Sequence, residues 1–175
     1  SVYLGSQLEG VFNQIKEGKL ESSSQSGLMS LGVDTLPDLT KDPGDRNRTS
    51  PFAFTGNKFE FRAVGSKANC AKPMTVLNTI VAMQLREFKE EVDGLIGGKK
   101  LKKDEAIFNV LREYIKASKR IRFDGDGYSE AWEKEAARRK LSNHNNTPSA
   151  MEVLTAPQTL DLFRTTEVMT ETEVR

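Results

Sequence analysis

Lys58, Glu60 and Arg62 alternate with Phe59, Phe61 and Ala63, and a short way upstream Arg46 and Arg48 bracket Asn47. A period of two places Lys58, Glu60 and Arg62 on one face of an extended strand and the apolar residues on the other. The apolar face is therefore expected to be buried. Same-face side chains on a strand stand about 6.6 Å apart, from a rise of about 3.3 Å per residue. A carboxylate flanked by cations at that spacing can grip a metal-bound phosphate, because hard oxygen ligands suit divalent cations and the cations suit phosphate oxygens. With Arg46 and Arg48 close in sequence, the segment reads as a site for a polyanion. The alternation fits equally an ordinary half-solvated strand whose charges face water, which is the commoner case. Periodicity alone leaves both open.

The elements that must position these residues can be read from pattern. Phe52 and Phe54 precede Thr55-Gly56-Asn57, and Phe59 and Phe61 follow it, so the site rides on a β-hairpin. Leu4, Leu8, Val11, Phe12 and Ile15 recur at helical spacing, predicting a helix from about Val2 to Glu17 that stops at Gly18. Glu21 to Gly27 has linker composition, and Leu36 to Asp45 is rich in turn residues. After the hairpin, Leu77, Val81, Leu85, Phe88 and Val92 form an apolar stripe on a helix from about Pro73 to Leu95. Asp104 is placed to cap the next helix, which buries Ile107, Val110, Leu111, Tyr114 and Ile115, and the two long helices are expected to pair antiparallel. Ser129 caps a helix containing Trp132, and Thr147-Pro148 opens a shorter one. The tail from Thr165 is acidic and rich in Thr, and is expected to fray. The fold class is α+β, mostly helical with a small antiparallel hairpin or sheet. Residues 1–65 carry the hairpin and 66–175 form a helical region.

Composition narrows the classes. With 37% hydrophobic and 29% charged residues, the chain of 175 residues has the usage of a folded globular protein. A formal charge of +1 argues against a general nucleic-acid binder, and the short basic runs at Lys99–Lys103 and Arg138–Lys140 fit solvated helix ends. No apolar run reaches membrane-spanning length. One cysteine, Cys70, permits no internal disulfide, which fits a reducing cytoplasm. A thiol enzyme would need a base beside it, and the one histidine, His144, lies far along the chain in a polar run. Cys70 is therefore read as a small packing residue and His144 as an exposed loop residue. Asp124-Gly125-Asp126-Gly127 has the look of a calcium loop without the rest of its ligand pattern, so a turn is expected there. Neither a GxxxxGK[ST] loop nor a GxGxxG turn occurs.

The ordered pair of segments, Arg46-Asn47-Arg48-Thr49-Ser50-Pro51-Phe52 and then Lys58-Phe59-Glu60-Phe61-Arg62, resembles the catalytic core of glutamine synthetases. The wording TSPFAFTGNKFEFR followed by VGSKANCAKPMTVLNTIVA is most similar to the large type III enzymes of bacteria. GVDTLPDL, FDGDGYSEAW and KEAARRKLSN resemble the C-terminal region of the same family, so the likeness covers most of the chain.

That resemblance implies ATP-dependent ligation of ammonia to glutamate through γ-glutamyl phosphate, with Mg²⁺ or Mn²⁺ as cofactor, in a cytoplasmic homo-oligomer. Glu60 matches the family's metal-binding glutamate. Arg62 matches a catalytic arginine that binds substrate glutamate, and Arg48 one that contacts nucleotide phosphate. Lys58 stands where relatives often carry an ATP-proximal arginine. Arg46 is either a further ATP contact or a structural ion-pair partner. The N-terminal β-rich domain and the remaining metal ligands of the family are not recognisable, so the chain is expected to be a C-terminal-side fragment that is inactive alone. Neither a nucleic acid nor a membrane is implied as partner. The alternative is a non-catalytic helical assembly module with an anion-binding hairpin.

Overall fold

The computed structural model describes residues 1–18, 28–29, 39–40, 50–62 and 67–174. The linker expected at Glu21 to Gly27 lies outside the described residues, as do Arg46 and Arg48. The architecture is mostly helical with a small sheet, as the pattern predicts, but the sheet is mixed, since its first strand pairs parallel to the expected antiparallel hairpin. The chain forms two compact units, one built from residues 1–64 and 111–141, the other from 65–110 and 142–175.

In the first unit, β1 (Val2–Tyr3) runs parallel to β4 (Phe52–Phe54), and β4 pairs antiparallel with β5 (Phe59–Phe61). A short antiparallel pair, β2 (Leu28–Met29) and β3 (Leu39–Thr40), lies in the sequence between them. The expected hairpin is present: Phe54 faces Phe59 across the ladder, the Thr55 N–H donates to the Lys58 carbonyl at 2.8 Å, and Gly56 turns at φ 94. A positive φ there favours a residue without Cβ. Fully buried Ser50 fastens the sheet, its hydroxyl donating to the carbonyls of Ser1 and Phe52.

Helix α1 (Gly5–Glu17) begins three residues later than its apolar spacing suggests, because Val2 and Tyr3 are drawn into the sheet. Leu4 at its N-cap has no side-chain oxygen to offer. Asp124 supplies one from across the unit, its Oδ1 accepting from the N–H groups of Leu4 at 3.1 Å and Gly5 at 3.3 Å. Helix starts leave such donors without intrahelical partners, and a carboxylate there also meets the positive end of the helix dipole. At the other end Gly18 adopts φ 78, with its N–H directed to Gln14 and Ile15, and Arg112 Nε donates to the Lys16 carbonyl. The calcium-like motif is thus a turn, as expected. Asp126 shapes it by accepting from the Tyr128 N–H, and Ser129 caps α4 (Glu130–Arg138) through Trp132 N–H. Leu4, Ala53, Ile115, Trp132 and Ala136 form the apolar core.

The second unit contains α2 (Ala71–Lys99), the first turns of α3 (Lys103–Ser118), α5 (Thr147–Met151), α6 (Pro157–Thr165) and α7 (Glu171–Val174). Phe163 of α6, which is 1% exposed, is its largest buried side chain, with Val92, Ala106 and Val110 also buried. Asn146 caps α5, accepting from the Ser149 N–H, and Pro148 sits in its first turn. The tail does not fray at once. Thr170 and Glu173 close a capping interaction, the Glu173 carboxylate accepting from both the N–H and the hydroxyl of Thr170, which lowers the pKa of Glu173 through the backbone bond first and the hydroxyl second.

Four expectations are corrected. The middle of the α2 stripe is open, with Val81 52% and Leu85 63% exposed while Val92 is buried, and the main helix contact of α2 is with α6. A seam cannot form between two helices when the stripe meant for it faces outward. Asp104 lies in the first turn of α3 and so cannot be its cap. Cys70 is exposed at the α2 N-cap position, with no core to fill. Phe59 and Phe61, expected to be buried, are 44% and 47% exposed. His144 is exposed as expected, its Nδ1 3.1 Å from the Ser149 hydroxyl.

Candidate functional site

Register decides which face of β5 turns inward. Glu60 pairs with Ala53, which has no exposed surface, so Glu60 leans to the side of the sheet that the unit covers. Phe59 and Phe61 then fall on the opposite side, where Phe59 stacks on Phe52 with ring centroids 5.0 Å apart and meets Phe54 at 5.4 Å. The aromatic side chains share contacts with each other but remain half open. The charged face is enclosed at Ala53 and Arg62 and opens toward Lys58, so burial does not follow the apolar side chains of β5.

On that face the structure brings together Lys58, Glu60 and Arg62. Arg62 Nη2 donates to Glu60 Oε2 at 3.3 Å, and Lys58 Nζ stands 3.7 Å from Glu60 Oε1. Enclosure increases along the row: the Lys58 side chain is 64% exposed, Glu60 40% and Arg62 17%. Ion pairs this accessible contribute about 0–1 kcal/mol to stability, so folding energy is a weak reason for the arrangement. Two cations beside one carboxylate make a setting suited to phosphate or carboxylate oxygens. Arg46 and Arg48 lie outside the described residues, so the nucleotide-facing half of the expected constellation is not placed.

Glu60 fits one position in a divalent cation's oxygen shell. A complete shell needs more ligands, and the described residues contain no group of three or more His, Cys, Asp or Glu side chains able to hold a metal. Among the described residues no helix is long and apolar enough to cross a membrane.

Sequence reasoning missed the pair that anchors this unit on the far side of its sheet. Arg122, 8% exposed, donates through Nη1 to both carboxylate oxygens of Glu9 at 3.2 and 3.0 Å, and through Nη2 to the Ile115 carbonyl at 3.2 Å. Its guanidinium also lies 5.3 Å from the Phe12 ring centroid. The partners are 113 positions apart, and no local signal could join them. Arg122 bridges to Val2 and the Phe123 N–H donates to the Val2 carbonyl, so this segment lines the β1 edge while β5 forms the other.

Comparison with known proteins places the chain among relatives. Residues 106–175 match the glutamine synthetase C-terminal domain. Over 99% of its length the chain is 47% identical to a glutamine synthetase of Bacteroides fragilis and 41% identical to a type-3 glutamine synthetase of Dictyostelium discoideum. A glutamine synthetase of Butyrivibrio fibrisolvens is 33% identical over the same share. The chain spans about a quarter of the length of these curated relatives, 24%, 23% and 24% respectively. On this similarity, which runs through the hairpin and the C-terminal helices alike, the chain belongs to the glutamine synthetase family.

Proposed function

We propose that this chain supplies part of the active site of an ATP-dependent ligase joining ammonia to glutamate. In that reaction the γ-carboxylate of glutamate takes the γ-phosphoryl group of ATP, and ammonia then displaces phosphate to leave glutamine. The observation that carries the reading is the Lys58–Glu60–Arg62 row, with Arg62 largely enclosed and joined to Glu60. Such chemistry depends on positioning and on neutralising charge as the phosphoryl group moves.

Arg62 is the catalytic residue in this reading: its guanidinium binds the glutamate substrate and offsets charge during transfer. Lys58, with Arg48 and Arg46, faces ATP phosphates, Lys58 as a point charge without the arginine fork. Glu60 would hold Mg²⁺ or Mn²⁺, which neutralises phosphate charge when bound. Among the described residues no group of three or more His, Cys, Asp or Glu side chains completes such a site. With the remaining ligands elsewhere, the chain alone is expected to be inactive. A cytoplasmic homo-oligomer is the setting that the family resemblance supports.

The test is calorimetric titration of the chain with Mn²⁺ and with ATP, for wild type, Glu60→Ala and Arg48→Ala. Glu60→Ala should remove the metal heat, and Arg48→Ala should weaken ATP. Heats unchanged in both variants would overturn the assignment. In the protein that carries this segment, Arg62→Ala should lower glutamate-dependent phosphate release by about 100-fold or more, a loss of the size seen when a group stabilising developing charge is removed. Wild-type release that ignored glutamate and ammonia would defeat the ligase reading.

A further inference from the structure

A cleft of about 640 Å³ opens on the first unit beside the Arg122 segment. None of its lining residues belongs to the β5 row. Six cations line it, Lys116, Lys119, Arg120, Arg122, Arg138 and Arg139, against the carboxylates of Glu9 and Asp124, with the Phe123 ring as an apolar wall.

Most of these charges are already engaged. Arg122 is bound to Glu9, and Lys116 to Glu113. Glu135 accepts from both Arg138 and Arg139, which hold its pKa down to about 2, the Arg138 bond being the larger cause. Asp124 is spent on the start of α1. Arg139 Nη1 donates to the carbonyls of Arg120 and Arg122. Arg120 answers with Nη2, donating to the carbonyls of Arg139 and Lys140 at 2.9 Å each. These bonds satisfy carbonyls near the ends of α3 and α4, where cations are favoured in any case.

Two groups exceed what capping requires. Arg120 meets only carbonyl oxygens, so its charge has no carboxylate partner, and its Nε and Nη1 donors have no acceptor among the described residues. The Lys119 ammonium, one residue away, has neither an ion pair nor a hydrogen bond among the described residues. The reciprocal backbone bonds between Arg120 and Arg139 hold the Arg120 guanidinium in place before any ligand arrives. The buried Arg122, which also lines the cleft, keeps one guanidinium N–H, Nε, without a partner. From this geometry we propose that the cleft binds the phosphoryl group of a small molecule, with Lys119 Nζ and Arg120 Nη1 as its donors and Phe123 flanking the organic part. A guanidinium N–H and an adjacent ammonium suit a tetrahedral dianion, and the volume exceeds what phosphate alone would fill.

The probe is inorganic phosphate, titrated without metal into the ¹⁵N-labelled chain at fixed ionic strength, with chloride as the matched control. Amide shifts should saturate and cluster at residues 116–124 and 138–140. Lys119→Ala touches no bond seen among the described residues and should weaken binding by about tenfold, the scale of one charge-assisted hydrogen bond. Arg120→Gln should weaken it further, Lys102→Ala and Glu60→Gln should leave it unchanged, and pyrophosphate should bind more tightly than phosphate. Shifts that never saturate, that match chloride, or that saturate at the same phosphate concentration in Lys119→Ala would overturn the proposal. Because Glu60→Gln is neutral here, failure at this cleft is distinguishable from failure of the ligase assignment.

Discussion

Removing the Asp124 carboxylate tests whether α1 is held at its start from a distance. Asp124→Ala withdraws the acceptor shared by the Leu4 and Gly5 N–H groups. Loss of a helix cap costs about 0.5–2 kcal/mol, and loss of the charge facing the helix dipole adds about 0.3–1 kcal/mol. Because neither the Leu4 side chain nor another group described at this end replaces the oxygen, a total of about 2 kcal/mol is expected. Asp124→Asn keeps an acceptor and loses only the charge, so it should cost about 0.3–1 kcal/mol. Trp132 makes the assay local, since it is the single tryptophan, is 5% exposed and lies in the same unit. With a urea slope of about 2 kcal/mol/M, Asp124→Ala should move the Trp132 fluorescence midpoint down by about 1 M and Asp124→Asn by less than half as much. Equal midpoints for the two variants, or no movement in either, would refute the capping argument.

Other consequences follow from buried and paired groups. Phe163→Ala empties the largest buried position of the second unit and should cost about 3–5 kcal/mol by thermal or urea unfolding. A loss under about 1 kcal/mol would mean that the site collapses around the gap. The carboxyl of Glu135 titrates at about 2 in the folded chain, below the ordinary glutamate value of about 4.3. A depressed carboxylate contributes stability that is full above its unfolded pKa and is lost as pH falls through the folded one, so its share should disappear between about pH 4.5 and pH 2. Glu135→Gln should flatten that part of the stability profile, and an unchanged acid limb would contradict the pairing with Arg138 and Arg139.

Much of the local structure was legible because its causes are local. Gly18 ends α1 where its apolar spacing stops, Ser129 and Asn146 cap the helices that follow them, and Thr55-Gly56-Asn57 turns the hairpin. The charge row at Lys58, Glu60 and Arg62 was visible as a row, and family likeness gave it a chemical meaning. Which face it occupied was misread. The rule that apolar side chains go inward assigns Phe59 and Phe61 to the core, but pairing Glu60 with fully buried Ala53 turns the charged side inward and leaves the rings half open. The α2 stripe failed in the same way, since helical periodicity says that one side is apolar but not that this chain covers it.

Sequence by itself determined the helices, the hairpin and the residue types gathered on β5, because turn chemistry, capping and periodicity act over a few residues. Tertiary structure alone decided that Asp124 starts α1, that Arg122 meets Glu9, and that Lys119 and Arg120 share a cleft with Arg138 and Arg139. These contacts join positions separated by long stretches of chain, and whether a charge is neutralised or left available depends on which neighbours the fold delivers to it.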